Sequence, residues 1–403
     1  MNAQPWISVV GIGEDGPAGL GEEARRRIAE AEVLAGGRRH LALVPPSEAT
    51  RVPWGSPLED SVRGLAAYRG RKVVVLASGD PSWFGVAKVV LRHFPREEVA
   101  VLPHVSAFQL AAARLGWAIE EVGTVSLHNM PATRLLRELA PGRRLLVLTS
   151  GPRMPATIAD LLARHGHAAA RVRVFGHLGG PRETMWEGET AEVAGQRFPI
   201  LNLVALALPR ETEATEDAAV LDLDDDAFEH DGNITKAEYR AAAIARLGPG
   251  PGRRLWDVGA GSGAMAITWL YRCGTGAATA IEKRPDRAVF IRRNAARLGT
   301  PELRLVEGEA PEALPAEEVP DAVFVGGGLA TPGLLRACFE RLAPGGRLVA
   351  HAVTMGGEQA LYRMYEEVGG TLQRLSLSRA ELRGDHLLWR PLAPVTQYAV
   401  TRR

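Results

Sequence analysis

The chain has 403 residues, 46% of them hydrophobic and 24% charged, which is a globular composition on a chain too long for one ordinary core, and two domains are expected. A formal net charge of +1 supplies no global field to recruit nucleic acid or an anionic membrane surface, and neither is expected as a partner. Cys273 and Cys338 are the only cysteines; they give neither a disulfide framework nor metal-ligand spacing, so no metal is expected and a reducing cytoplasm is the default.

The basic residues are arginine except for Lys72, Lys88, Lys236 and Lys283. A GC-rich genome explains that bias most simply. A substrate bearing many carboxylates explains it too, because the planar guanidinium binds them bidentately. The first residues, Met1 to Trp6, lead directly into an apolar strand without the basic start and apolar core of a signal peptide. No apolar run is long enough to span a bilayer, and a cytoplasmic location is expected.

Taken in chain order, short apolar runs predict strands at 7–10, 73–77, 99–102, 145–149 and 200–208 in the first half. In the second half they predict strands at 255–258, 279–282, 303–306, 322–325, 348–352 and 398–401. Segments 22–32 and 287–298 carry helical spacing. This alternation is the pattern of parallel α/β architecture on both sides. Between the halves, the stretch from Pro209 to Asp231 carries acids at Glu211, Glu213, Glu216, Asp217, Asp222 and Asp224 to Asp226. It reads as a solvated linker, with the domains divided as 1–213 and 214–403.

The most informative string is LWDVGAGSG, residues 255–263. An apolar strand ends in Asp257, and Gly259, Ala260, Gly261, Ser262 and Gly263 form a turn that opens a helix near Ala264. Glycines permit the tight turn and let a ligand lie against the backbone at the helix start. Alone, the string also fits a dinucleotide fingerprint, with Glu282 at the distance of a ribose-binding acid. Three features favour S-adenosylmethionine: the position of Asp257, where it meets a cationic amino-acid moiety; VEGEAP after the next strand, placing Ala310 in an adenine-contacting loop; and DAVFVGGG ahead of LAPGGRLV. Each acid also has a plainer reading. Asp257 suits a helix cap, and Glu282 suits a surface pair with Lys283 or Arg284. Upstream, in DGNITKAEYR, Thr235 and Glu238 have the spacing of a capping box. That box leaves His230, Asp231, Lys236 and Arg240 unexplained.

The strings DGNITKAEYR, DVGAGSGAMAI, VEGEAPEAL and FVGGGLATPGLL resemble CbiT, the decarboxylating precorrin methyltransferase family. VVGIGEDGPAGL, LASGDPSWFG, LPHVSAFQLAAARLGW, VSLHNM and FPILNLVALAL resemble CbiE, of the tetrapyrrole methylases. Together they cover nearly the whole chain in the order of the fused CobL family. The resemblance implies a two-lobed tetrapyrrole methylase fold followed by a Rossmann-like class I methyltransferase domain, each with an S-adenosylmethionine site. It implies donor contacts at Gly11, Gly13, Gly79, Asp80, Pro81, Ser106, Ala107 and Leu203 in the first half. In the second it implies Thr235, Asp257, Gly259 to Gly263, Glu282 and Ala310. His104 departs from the glycine that many tetrapyrrole methylases carry before Val105-Ser106.

The implied reaction methylates precorrin-6B at carbons 5 and 15 and decarboxylates the ring C acetate, giving precorrin-8 in cobalamin biosynthesis; the cobalt-containing counterpart is the alternative. A homo-oligomer and hand-over to neighbouring corrin enzymes are expected. Methyl transfer from a sulfonium needs mainly positioning, so no nucleophile triad is expected. His351, Tyr239 and Arg240 are the acid–base candidates by position, although a lone His in VAHAV is more often a packed strand residue. The rivals are a nicotinamide-dependent oxidoreductase, a methyltransferase acting on RNA or protein, and a non-catalytic tetrapyrrole carrier.

Overall fold

The longest apolar runs of the sequence become the buried centres of three sheets. The computed structural model describes residues 5–210 and 223–403. The chain divides into two units, Met1–Met130 with Ala140–Thr215 and Pro131–Leu139 with Glu216–Arg403. Most of the expected linker, and the expected boundary at 213/214, lie outside the described residues. Pro131–Leu139, assigned by sequence to the first domain, groups with the second unit.

The first unit holds two sheets. The strands β1 (Ile7–Ile12), β2 (Val33–Gly36), β3 (Thr50–Pro53), β4 (Val73–Ser78) and β5 (Val99–Leu102) pair in the order β3-β2-β4-β1-β5. All are parallel, and every residue of β1 is buried, as a central strand covered on both faces requires. The strands β6 (Gly123–Ser126), β7 (Arg144–Leu148), β8 (Arg171–Gly176), β9 (Thr184–Glu189) and β10 (Asn202–Ala207) pair in the order β6-β7-β10-β8-β9. Here only β6–β7 is parallel, whereas β7–β10, β10–β8 and β8–β9 are antiparallel. The expectation of parallel pairing throughout therefore fails in this lobe. Residues 177–183 join β8 to β9, too short a link for the crossover that parallel neighbours need.

The second unit is built on one seven-stranded sheet. Its strands are β11 (Arg254–Val258), β12 (Ala277–Glu282), β13 (Arg304–Glu307), β14 (Ala322–Val325), β15 (Arg347–Ala352), β16 (Thr371–Leu375) and, after a hairpin of β17 (Ser378–Arg383) and β18 (His386–Pro391), β19 (Val395–Thr401). The order is β13-β12-β11-β14-β15-β19-β16. The first five run parallel, and β19 inserts antiparallel between β15 and β16. Strand order reverses between β11 and β14, which opens a crevice at their carboxyl ends. Trp256 and Trp269 are fully buried, and each indole N–H is satisfied, on Glu318 Oε2 at 3.0 Å and Ala277 O at 3.1 Å. No helix among the described residues is long and apolar enough to cross a membrane.

The helix Ala237–Leu247 flanks this sheet. The capping box expected from Thr235 and Glu238 does not form: Lys236 is the N-cap residue and makes no side-chain cap bond. Glu238 is drawn instead to Arg379 of β17, at 2.6 and 2.8 Å, a bidentate ion pair stronger than the cap it displaces.

Candidate functional site

The glycine turn after β11 forms as the sequence predicts. Gly259, Gly261 and Gly263 have φ of +71°, +60° and +78°, the left-handed region that side chains disfavour. A Cβ on Gly259 would lie 2.8 Å from the backbone of Gly327, so this loop touches the glycine loop after β14. At Gly261 the nearest atom to a built Cβ is Asn233 O at 3.7 Å. Its backbone faces open space.

That space is a cavity of about 440 Å³, within the usual size of a ligand pocket. Residues from seven stretches line it: the loop and helix start Gly232–Tyr239, the ends of β11 and β12, the loops after β13 and β14, the end of β15 at His351, and Leu392–Val395. Thr235, Asp257, Gly259, Ala260, Gly261, Ser262, Glu282 and Ala310, all expected at a donor site, line it together. Gly263 does not; its position packs near Ile291 and starts the helix Ala264–Cys273.

Two buried carboxylates sit at the glycine turn. Asp257 Oδ2 accepts from Ala266 N at 3.0 Å, so Asp257 fills the capping role as well as lining the cavity. Burial, opposed by that N–H and reinforced by the charge of Glu282, pushes its carboxyl up to about 7. Glu282 Oε2 accepts from Gly261 N at 2.7 Å and Oε1 from Arg284 N at 3.0 Å. It therefore braces the turn rather than pairing with the side chain of Lys283 or Arg284.

The three acid–base candidates separate. Tyr239 lines the cavity, and its hydroxyl donates to Ala393 O at 3.1 Å; burial raises its pKa. His351 also lines the cavity, but its ring is held in the strand layer, edge-on to Phe324 at 5.1 Å. Its Nε2 meets Gln397 Oε1 at 2.8 Å, and the Gln397 amide donates onward to Gln373 Oε1 at 3.4 Å. His351 Nε2 therefore carries the proton. Nδ1 is buried without a partner, and burial pulls the imidazole down to about 4. Neither nitrogen is offered to solvent as a free group. Arg240 is absent from the cavity wall. It is 1% exposed and donates to Thr235 O at 2.6 Å and to Leu223 O, beside Asp225 Oδ1 at 3.4 Å and over the Phe228 ring. That arrangement stitches the segment before the helix onto the domain.

Apart from Leu203, which lies in β10 of the other sheet, the first unit brings its expected residues to the carboxyl ends of β1, β4 and β5. A Cβ on Gly11 would lie 1.8 Å from Gly79 O, and one on Gly79, whose φ is +51°, would lie 2.8 Å from Ser106 Cα. His104, the departure noted in sequence, fits this crossing: its N–H donates to Gly79 O at 3.2 Å, and its ring packs beside Gly13 and 3.6 Å from Asp15. Asp80 Oδ1 accepts from Ser82 N at 2.8 Å, which closes a turn over Pro81. Ser106 caps the helix Ala107–Leu115 through a capping box with Gln109. Ala107 and Leu203 share one apolar cluster with Phe108 and Phe175.

Sequence reasoning missed Gly327 as the backbone partner of Gly259, Gln397 as the partner of His351, and the arginines Arg284 and Arg287 at the cavity wall. The run VGGG at an apolar strand end was the signal for the first. The second depends on strand β19 lying beside β15, which nothing local encodes.

Comparison with known proteins agrees with this architecture. Residues 7–194 match the tetrapyrrole (corrin/porphyrin) methylases, and residues 226–402 match the precorrin methyltransferase domain. A precorrin-6Y C(5,15)-methyltransferase [decarboxylating] of Sinorhizobium sp is 45% identical over 99% of this chain and 97% of its own. A cobalt-precorrin-7 C(5)-methyltransferase of Salmonella typhimurium is 34% identical over 42% of this chain and 83% of its own. A probable cobalt-precorrin-6B C(15)-methyltransferase (decarboxylating) of Pyrobaculum calidifontis is 31% identical over 42% of this chain and 87% of its own. With a tetrapyrrole methylase lobe pair, a methyltransferase sheet whose glycine turn opens on a cavity, and a relative matched from end to end, the chain belongs to the decarboxylating precorrin-6Y C(5,15)-methyltransferases, two-domain C-methyltransferases of cobalamin biosynthesis.

Proposed function

We propose that each unit binds S-adenosylmethionine, with the domains divided near 213/214. The second unit methylates carbon 15 of precorrin-6B and releases carbon dioxide from the ring C acetate, and the first methylates carbon 5. One observation supports the second assignment above others: Gly261, Asp257, Glu282 and Tyr239 line a single cavity. The open backbone at Gly261 and the buried carboxylate of Asp257 suit a donor that is cationic at its amino-acid end. The donor supplies an electrophilic methyl group. The protein's part is to hold the macrocycle carbon in line with it, a contribution on the order of 7–11 kcal/mol in well-oriented cases.

Loss of carbon dioxide leaves its electron pair in the conjugated macrocycle, and the exocyclic carbon must then take up a proton. Of the three acid–base candidates, Tyr239 suits that task best. Its phenol stays protonated at neutral pH and lines the cavity. His351 acts as a wall of the site, held neutral by burial, and Arg240 as a brace. In the first unit Gly11, Gly13, Gly79, Asp80, Pro81, Ser106, Ala107 and Leu203 surround the second donor. The metal-free substrate follows the name of the full-length relative. A cytoplasmic location and hand-over of the product to the next corrin enzyme complete the reading.

The test is mass spectrometry of products from precorrin-6B and S-adenosylmethionine, with the cobalt-containing substrate in parallel. A product with two added methyl groups and one fewer carboxyl is expected. Stabilisation by a nicotinamide cofactor without any methyl gain would overturn the assignment.

A further inference from the structure

Four cationic side chains line the cavity of the second unit: Lys236, Lys283, Arg284 and Arg287. Three of them are already engaged. Lys283 Nζ lies 2.9 Å from Glu309. Arg284 grips Asp286, and Arg287 donates twice to Asp231 Oδ2 at 2.9 and 3.0 Å. Lys236 is different. Among the described residues its ammonium makes no hydrogen bond, and its nearest carboxylate oxygen, Asp225 Oδ2, is 3.7 Å away, beyond hydrogen-bond range.

Asp225 is also not free to satisfy it. Its Oδ1 faces Arg240 at 3.4 Å and its Oδ2 accepts from Arg379 at 3.1 Å. Arg379 spends its other contacts on Glu238. Lys236, Arg240 and Arg379 gather around Asp225, with Glu238 paired to Arg379 and Asp224 and Asp226 beside them. Both guanidinium groups are hydrogen-bonded, so the cation left without a hydrogen bond among the described residues is Lys236. It is one-third exposed and heads the helix Ala237–Leu247, whose amino end adds field of the same sign. The buried acids of the cavity, Asp257 and Glu282, belong to the ends of β11 and β12 instead. Lys236 therefore lines the cavity from a different segment than these two acids.

We propose that Lys236 binds a peripheral carboxylate of the tetrapyrrole in the second unit and so fixes the orientation of the macrocycle over the donor. This rests on the reading that precorrin-6B occupies this cavity. The carboxylate it holds is one that the reaction retains. A cation on the ring C acetate would stabilise the carboxylate more than the carbon dioxide it becomes, and would slow its loss.

The experiment is steady-state kinetics of carbon dioxide release by the full-length chain, for the parent and for Lys236→Gln and Lys236→Arg. Titration of S-adenosylhomocysteine runs alongside as a measure of the donor end. Loss of one charge-assisted hydrogen bond should raise the KM for precorrin-6B by about tenfold in Lys236→Gln, with kcat within about twofold of the parent. Lys236→Arg should recover most of the KM. Added salt should raise KM in the parent and have much less effect in Lys236→Gln. S-adenosylhomocysteine affinity should stay the same in all three proteins.

An unchanged KM in Lys236→Gln overturns the proposal. So does a fall in kcat at constant KM, which would make Lys236 an acid–base group. A rise in KM matched by an equal loss of S-adenosylhomocysteine affinity overturns it too, since the residue would then only shape the wall. Failure of the parent to turn over precorrin-6B would sink the underlying reading itself, and the proposal with it.

Discussion

Replacing Asp257 with asparagine should make the second unit more stable at high pH while weakening its hold on the donor. Asp257 is 1% exposed, and burial pushes its carboxyl from the ordinary 3.8 up to about 7. A carboxyl raised in the folded state keeps its proton where the unfolded chain has lost it. Stability is therefore greatest at low pH and declines as pH rises from about 4 to about 7. From pH 5 to pH 8 the decline is two units, or about 2–3 kcal/mol as an upper bound. The Asp257→Asn variant would have no such decline. At about 2–4 °C per kcal/mol for a unit of this size, the melting temperature of the variant should gain roughly 5–10 °C on the parent between pH 5 and pH 8. Calorimetric scans of both proteins at the two pH values measure this, with the buried Trp256 and Trp269 reporting the second unit's transition. Titration with S-adenosylhomocysteine should show weaker binding by the variant, whose cavity has lost a carboxylate facing the ammonium group. A melting offset that is the same at pH 5 and pH 8 would refute the claim that burial holds Asp257 in its protonated form.

Gly261→Leu must adopt φ of +60°, a strain of about 1–2 kcal/mol, and its side chain would enter the donor space. Methylation at carbon 15 and carbon dioxide release should fall together while methylation at carbon 5 persists; carbon dioxide release at the parent rate by folded protein would remove that reaction from this site. Gly11→Ala would put a Cβ 1.8 Å from Gly79 O and should destabilise the first unit by at least about 1–3 kcal/mol, seen as a lower first-unit melting temperature with the second unit unaffected. Arg240→Met should lower second-unit stability by about 1–3 kcal/mol, because it removes the donor to the Thr235 and Leu223 carbonyls while Arg379 still holds Asp225. Activity per folded molecule should survive, whereas a catalytic Arg240 would instead show lost kcat at an unchanged melting temperature.

The legible parts of this fold were those that local chemistry dictates. β1, β4, β11, β12 and β14 are predominantly apolar and almost wholly buried, and Gly259 and Gly261 announce a turn that favours glycine. Most strands that escaped notice mix polar with apolar residues, although β2 (VLAG) is wholly apolar, buried and only four residues long. β9 (TMWEGE) and the β17–β18 hairpin are largely exposed, and their pairing is set by neighbours rather than by hydrophobic pattern. Thr235 and Glu238 show the same limit. Their spacing fits a cap, but Arg379, 141 residues along the chain from Glu238, offers the carboxylate a better partner. Arg240 looked functional because it sits in a charged loop, and only the fold reveals Leu223 and Thr235 as the carbonyls it holds.

β19 enters its sheet between two strands that precede it in the chain, β15 and β16. Both β15 and β16 take Val395–Thr401 as their antiparallel partner on that side. Gln397, the hydrogen-bond partner of His351 Nε2, lies in that same strand. Part of the cavity wall thus depends on a strand inserted between two others rather than added at an edge. Loss of this one strand would take β16 with it and leave the row of unpaired groups on β15 open to the wrong partner.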